Sequence, residues 1–338
     1  METPPRTPIK DRFARPLKSL RLSITDRCNF SCWYCYDEDD SHRCLQDRQD
    51  LLNFEQLRRL VGIFTELGVD NVRLTGGEPL LRRDLHVLVK KLKNIKNLKE
   101  VTLTTNGYFL VDKLDRLRKA GLDRINISLD TFRPGRFKQL TGRVGLDHIL
   151  MGLEKLLASP ELHPVKINTV LIEGFNDDEL FDFVNWARNH EQTVRFIEFM
   201  PLERGEKWDR DDILTAGEIQ KRIRKEFELI PEKSKGSRPA SRFKIEGGGR
   251  VGFISSISDS FCDKCDRIRL TADGKIKNCL FSYNETDIQK VLEGGEDDQV
   301  RKKITEAYRE KWEGGCMRLS SDDYNPQQQS RTMSRIGG

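Results

Sequence analysis

Six cysteines of this chain fall into two groups of three. In "CNFSCWYC", Cys28, Cys32 and Cys35 are separated by three residues and then by two. A structural zinc site wants four ligands. The nearest further candidates are His42 and Cys44, so spacing alone leaves zinc open. Three thiolates suit a 4Fe–4S cluster in which one iron lacks a protein ligand and can take N and O donors from a small molecule. The second group is Cys262, Cys265 and Cys279, in "CDKC" and then "CLF". It reads as a zinc ribbon with one ligand missing. No histidine follows His190, so only Cys316 could complete it as a distant fourth ligand. The alternative is a second cluster that again leaves one iron open. Cys44 and Cys316 read as ordinary thiols.

Such groups need a scaffold. Six short β-branched or apolar runs begin near residues 19, 71, 100, 124, 165 and 194. Between them lie segments such as "FEQLRRLVGIFTELG" and "DDELFDFVNWARNH", with apolar residues at three- and four-residue steps. That spacing gives amphipathic helices lying on a sheet. Strand–helix alternation implies parallel strands with right-handed crossovers. Periodicity leaves an open doubly wound sheet and a full or partial barrel in competition. Either architecture places ligands at the C-terminal ends of the strands, where "TDRCNF", "TGGEP", "TTNG", "SLD" and "FMPL" stand. After residue 203 the pattern changes. "TAGEIQKRIRKEF" reads as a helix with Thr215 and Glu218 at capping-box spacing. "SRFKIEGGGRVGFISSIS" and "RIRLTADGKIKNCLF" read as short strands joined by turns. The expected divisions are an N-terminal arm (1–18), a partial barrel (19–202), a C-terminal region (203–318) and a flexible, polar tail (319–338) ending in Gly-Gly.

Composition limits the function. The chain has 338 residues, 36% hydrophobic and 33% charged, which allows a sizeable core. The formal charge of +5 is too small an excess to argue for nucleic acid, and it fits a local basic pocket for an anion. No apolar run reaches membrane-spanning length, and the first twenty residues lack the apolar core of a secretory signal. A cytoplasmic, reducing location without membrane attachment is expected, in which the cysteines serve as metal ligands.

The stretch "LRLSITDRCNFSCWYC" resembles the radical S-adenosylmethionine enzymes, and "TGGEP" resembles their second motif. Together with CxxC–x13–C, "RIRL", "VKINTV", "RFIEFMPL" and the terminal Gly-Gly, the set is similar to the GTP 3′,8-cyclases of molybdenum-cofactor synthesis, from about Asp11 to Cys279 and again at the last residues. The resemblance implies an α/β fold: an incomplete (β/α)6 TIM-type barrel with a C-terminal α+β extension carrying a second 4Fe–4S cluster. It implies that Cys28, Cys32 and Cys35 hold the cluster that binds S-adenosylmethionine, and that Tyr34, Gly77, Glu78, Ser128 and Met200 contact that cofactor. In this reading Gly76 and Gly77 let backbone approach the methionyl group, and Glu78 accepts from its ammonium. Cys262, Cys265 and Cys279 would hold the second cluster against the guanine of GTP. Arg21, Arg73, Thr104, Lys166, Asn168, Arg195, Arg267, Ile268, Arg269, Gly337 and Gly338 would line the GTP site. A triphosphate calls for arginine forks and lysine charges, and no Walker motif is present to supply them otherwise.

The implied reaction is removal of the ribose C3′ hydrogen by a 5′-deoxyadenosyl radical, followed by attack of C3′ on C8 of the guanine. Arg21, Arg267 and Arg269 would fix the nucleotide and assist the final reduction. Implied partners are an electron donor such as flavodoxin or ferredoxin and a downstream cyclic pyranopterin monophosphate synthase, with a homodimer left open. Two departures stand out. Asn71 occupies a position where many members carry lysine, and the Tyr36–Asp37 loop replaces the commoner Met-Pro. The "GGGR" turn at 247–250 has no evident role. Three rivals share some of these features: a peptide maturase with one auxiliary cluster, a zinc-ribbon nucleic-acid binder and a simple electron carrier. A maturase would not need the basic pocket, and a carrier would not need this scaffold.

Overall fold

The computed structural model describes residues 8–35, 47, 50–202, 211–233, 239–314 and 331–337. Its six expected strands form: β1 (Ser19–Ser23), β2 (Asn71–Thr75), β3 (Glu100–Thr105), β4 (Arg124–Ser128), β5 (Lys166–Leu171) and β6 (Thr193–Glu198). The intervening helices are α1 (Phe54–Glu66), α2 (Leu85–Lys93), α3 (Leu110–Lys119), α4 (Pro134–Thr141), α5 (Leu146–Leu157) and α6 (Leu180–Asn189). α1 begins on a capping box, with the Asn53 side chain accepting from the Gln56 N–H and the Gln56 side chain accepting from the Asn53 N–H.

The later chain adds α7 (Ala216–Ile223), β7 (Leu229–Glu232), β8 (Ser241–Ile245), β9 (Arg250–Ile254), β10 (Arg267–Leu270), β11 (Lys275–Lys277), β12 (Thr286–Asp287), α8 (Gln289–Glu293), α9 (Asp297–Arg309) and α10 (Met333–Ile336). The expected capping box opens α7 at Thr215 and Glu218. All twelve strands belong to one sheet, in the order β12-β11-β10-β1-β2-β3-β4-β5-β6-β9-β8-β7. β10 runs parallel to β1 and β9 parallel to β6, so the extension continues the parallel set at both edges. The first and last strands of that order do not pair, and the barrel is incomplete.

Alternation along the strands sorts the side chains. Leu20, Leu22, Val72, Leu74, Val101, Leu103, Ile125, Ile127, Ile167, Val194, Ile268 and Leu270 are fully buried in the main core with the helices. The alternate positions carry Arg21, Arg73, Thr102, Thr104, Asn126, Lys166, Asn168, Arg195, Arg267 and Arg269. A TIM barrel is ordinarily plugged by bulky apolar side chains. Here the inner face is polar and cationic, so it forms a site. Ile268 faces the other way from Arg267 and Arg269. Its side chain is packed in the core.

Two joints attach the extension. Glu198, at the end of β6, is buried and accepts from the backbone N–H groups of Ala216 (2.9 Å), Ile257 (2.7 Å) and Ser258 (3.0 Å) and from the Ser258 hydroxyl. The "GGGR" turn now has a role: at Gly249, with φ of +67°, a Cβ would stand 2.1 Å from the carbonyl oxygen of Ala187 in α6. The β8–β9 turn therefore docks by backbone approach. The expected looseness of the tail fails over 331–337, where Arg331, Thr332, Ser334, Ile336 and Gly337 are buried. Arg331 makes a forked pair with Asp273 (3.0 and 2.7 Å) and a second pair with Glu285 (2.7 Å).

Glu198→Ala would remove at once the acceptor of the buried Ala216 amide and of the half-buried amides of Ile257 and Ser258. Each costs about 1–3 kcal/mol, and shared relaxation makes the sum smaller than additive. The expected outcome in urea unfolding is a loss of about 3 kcal/mol; a change within error would show that the clamp is dispensable.

Candidate active site

The first cysteine triad follows the C-terminal end of β1. The Cys35 N–H donates to the Cys32 carbonyl at 2.9 Å and the Phe30 N–H to Cys28 Sγ at 3.4 Å. All three thiols are free of disulfides. Burial pushes the Cys32 thiol well up, helped by Cys35, Asp130 and Cys28. Tyr34, between two of the cysteines, donates its hydroxyl to Asp130 Oδ2 at 2.6 Å, and Asp130 Oδ1 accepts from the Val170 N–H at 2.7 Å. Asp130 at the end of β4 thus anchors the cysteine loop to β5, a role that only "SLD" hinted at. Ser128, the last residue of β4, is exposed at the same rim.

The "TGGEP" turn is packed against this loop. A Cβ at Gly76 would stand 2.2 Å from the Thr25 carbonyl oxygen, and one at Gly77 would stand 2.3 Å from that of Arg27. The glycines therefore admit the chain's own backbone, as the Gly77 N–H to Thr25 bond (2.9 Å) and the Glu78 N–H to Arg27 bond (2.7 Å) confirm. Glu78 is fully buried. Its Oε1 accepts from the Leu80 N–H (2.8 Å) and the Thr105 hydroxyl (2.7 Å), and its Oε2 accepts from the Asn106 N–H (2.7 Å). The carboxylate joins two strand-end turns through these three bonds. Burial raises Glu78 to about 7, against the pull of those three donors. Asn106 in turn donates to Asn29 Oδ1 at 2.9 Å and stands 4.0 Å from Cys28 Sγ.

Register places Arg21 beside Arg73 on one side and Arg269 on the other. Two nitrogens of Arg21, Nε and Nη1, are buried without a hydrogen-bond partner among the described residues. Burial, and then Arg73, Arg267, Arg269 and Arg195, hold Arg21 well below the ordinary arginine value. Burial and the neighbouring guanidinium groups lower Arg73 to about 9, and burial and Arg267 lower Arg269 to about 10. Burial, then Arg195, Arg124 and Arg73, bring Lys166 down to about 6. Guanidinium groups do not give up their protons in practice. These shifts therefore reflect burial first and mutual repulsion second, and an anion would answer both. Asn168 Oδ1 also lacks a partner among the described residues, and Thr104 receives only a 3.5 Å approach from Asn126. Lys166 and Arg195 further line a cleft of about 730 Å³ at the N-terminal ends of β4, β5, β6 and β9, with Arg124, Arg242 and Arg250. Asn71 is spent on β1: it accepts from the Ser19 hydroxyl at 2.7 Å and donates to the Lys18 carbonyl at 3.1 Å.

The second triad flanks the N-terminal end of β10, level with Ser19. Cys262, Cys265 and Cys279 are likewise free thiols. Burial opposes ionisation of Cys265, but Arg267 and Lys311 overcome it and hold the thiol near 6. Arg15 ties this loop to the rest: it donates to the carbonyls of Cys262 (2.8 Å), Glu313 (2.6 Å) and Trp312 (2.5 Å). Met200 packs in an apolar patch with Leu202, Cys262, Cys279, Phe281 and Met333. Gly337 reaches the lumen, where its carbonyl accepts from Arg269 and a Cβ on it would stand 2.9 Å from Thr75 Cγ2. Gly338, Cys44, Cys316 and the Tyr36–Asp37 loop lie outside the described residues. Each triad supplies three thiols without a disulfide, the donor type that iron–sulfur clusters take.

Residues 22–187 match the Radical SAM superfamily, and 192–316 match Molybdenum Cofactor Synthesis C. With the partial barrel and its cysteine loop, this defines a radical S-adenosylmethionine protein, a class whose cofactors are a 4Fe–4S cluster and S-adenosylmethionine. The chain is 42% identical over 332 residues to the GTP 3′,8-cyclase of Streptomyces coelicolor, covering 97% of this chain and 96% of the relative. It is 41% identical over 296 residues to that of Syntrophomonas wolfei, covering 87% and 90%. The chain belongs to the GTP 3′,8-cyclase family. Streptococcus suis SuiB, solved with its precursor peptide SuiA, shares the fold alone, at a TM-score of 0.63 and 15% identity over 94% of this chain and 76% of that one.

The approach of Gly77 to Arg27 yields a test. Gly77→Ala forces the backbone before Cys28 to shift, at a cost of about 1–3 kcal/mol. Reduced iron retention after anaerobic reconstitution, with an unchanged far-UV spectrum, is the expected outcome.

Proposed function

We propose that this chain converts GTP to (8S)-3′,8-cyclo-7,8-dihydroguanosine 5′-triphosphate, the first step of molybdenum-cofactor synthesis. Family membership supports the activity. The observation that carries the substrate is the row of buried, mutually repelling arginines between the two cysteine triads, a lumen charged for a polyphosphate.

Cys28, Cys32 and Cys35 would hold the 4Fe–4S cluster, with Tyr34, the Gly77 backbone, Ser128 and Met200 around S-adenosylmethionine. Cys262, Cys265 and Cys279 would hold a second 4Fe–4S cluster beside the guanine. When bound, the first cluster and S-adenosylmethionine supply the radical chemistry that removes the C3′ hydrogen. The protein's own part is orientation and the exclusion of water. Arg73, Lys166 and Arg195 would neutralise the phosphates, with Thr104 and Asn168 as polar contacts. Arg21, Arg267 and Arg269 would fix the nucleotide across the C3′–C8 bond being formed, and Gly337 with Gly338 would close the site through Arg269. The net change is an isomerisation: C3′ loses a hydrogen atom, the C3′–C8 bond forms, and the base takes up one electron and one proton. Flavodoxin or ferredoxin would supply electrons in the cytoplasm, and a cyclic pyranopterin monophosphate synthase would take the product. The maturase reading leaves the cation row without a use.

The decisive experiment is anaerobic reconstitution, followed by dithionite and S-adenosylmethionine with and without GTP. About eight irons per chain, 5′-deoxyadenosine and a cyclised nucleotide are expected; cofactor cleavage that ignores GTP would overturn the assignment. In the same assay Cys262→Ser and Cys279→Ser are expected to retain some cofactor cleavage but lose its coupling to GTP, and full product from either would sink the two-cluster scheme.

Lys166 adds a proton-linked signature. Its value near 6 leaves it mostly neutral at pH 7 in the free chain. A bound triphosphate raises that value, so between the free and bound values binding takes up protons. Calorimetry at pH 7 in two buffers of different ionisation enthalpy is expected to read up to about one proton taken up per GTP, and none of that uptake in Lys166→Met.

A further inference from the structure

Lys311 lies just beyond α9, only 2% exposed. Its ammonium donates to Cys265 Sγ at 3.3 Å and to the Arg267 carbonyl, and it sits 5.4 Å from the centre of the Tyr308 ring. Among the described residues no carboxylate pairs with it. A buried ammonium costs several kcal/mol unless a counter-charge answers it. A carbonyl and a ring face supply dipoles only, and a neutral thiol is a weak acceptor. As a metal ligand cysteine is a thiolate, so the ligated Cys265 sulfur is the counter-charge within this lysine's reach.

The lysine's position is fixed from behind. Arg15 is itself buried and braced by Asp11 at 2.6 Å. Its guanidinium holds the carbonyls of Trp312 and Glu313, directly after Lys311, and the carbonyl of Cys262, in the ligand loop. The Tyr308 hydroxyl donates back to the Arg15 carbonyl at 3.2 Å. One buried guanidinium therefore sets the distance between the lysine's chain segment and the cysteine loop. The N–H···S contact is built in.

We propose that Lys311 tunes the cluster held by Cys262, Cys265 and Cys279. Its N–H···S bond draws charge from the Cys265 ligand, and its positive charge favours the reduced cluster, which carries one more negative charge. Hydrogen bonds to the sulfurs and local charge are the protein's levers on such a potential. The inference rests on the second cluster proposed above.

The test isolates that cluster. In the full chain carrying Cys28→Ser, Cys32→Ser and Cys35→Ser, anaerobic reconstitution is expected to leave about four irons at the remaining triad. A redox titration followed by electron paramagnetic resonance then reads its midpoint potential. Lys311→Met and Lys311→Gln are expected to lower the potential, and Lys311→Arg, which keeps the charge, to stay near the parent. An unchanged potential in whichever neutral variant retains iron overturns the role of Lys311 while leaving the second cluster intact. A parent without iron, or with zinc alone, removes the second cluster itself and the inference with it.

Discussion

The concave face of the sheet is a set of like charges held against their own repulsion. Arg21, Arg73 and Arg269 stand in adjacent strands at the same register, with Arg267 and Arg195 close by. Each sits on a strand whose alternate residues are locked into the helix-covered core. The apolar side holds the basic side in place. At about 1.5–3 kcal/mol for each buried aliphatic side chain, the core residues of β1, β2 and β10 more than match a repulsion that solvent and polarisation soften. The free chain therefore stores electrostatic strain that a polyanion discharges, which is how preorganised sites acquire affinity without moving.

The rest of the molecule keeps that face in shape. Glu198 and the glycine turn at 247–249 fasten the extension at the β6 edge, and the β10 pairing fastens it at the β1 edge. Arg331 clamps the last residues to Asp273 and Glu285 so that Gly337 meets Arg269. Arg15 and Asp130 do the equivalent work for the two cysteine loops. Glu198, Arg15 and Asp130 each bond backbone or a phenol from a distant segment, and Arg331 bonds two carboxylates, so each loop becomes part of the frame.

Much of this was legible in the sequence. The six strand–helix units, the capping box at Thr215 and both cysteine triads rest on local pattern, and they stand where spacing put them. α9 was missed although Val300, Ile304 and Ala307 carry its helical stripe, because charged residues fill the rest of that segment. β7 is an outer strand with an exposed Ile230 and a proline, and it gives no alternation to read. The site residues whose surroundings were not legible are those whose partners lie far along the chain. Glu78 reads as a free carboxylate until Thr105 and Asn106 are brought to it. Gly76 and Gly77 read as room for a ligand until the carbonyls of Thr25 and Arg27 fill that room. Arg15 and Lys311 have no motif, since the cysteine loop they serve is 247 and 46 residues away.

The pairing of β1 with β10 also governs how the molecule comes into being. Arg21 leaves the ribosome early, but its neighbour Arg269 emerges only after most of the chain. At about 5–20 residues per second, β1 waits some tens of seconds as an open edge, with its hydrogen-bonding groups unsatisfied on one side. Open edges invite pairing with the wrong partner, and contacts this distant in sequence form slowly. An arginine in the middle of that edge makes it a poor template for aggregation, so the charge that suits the finished lumen also guards the nascent strand.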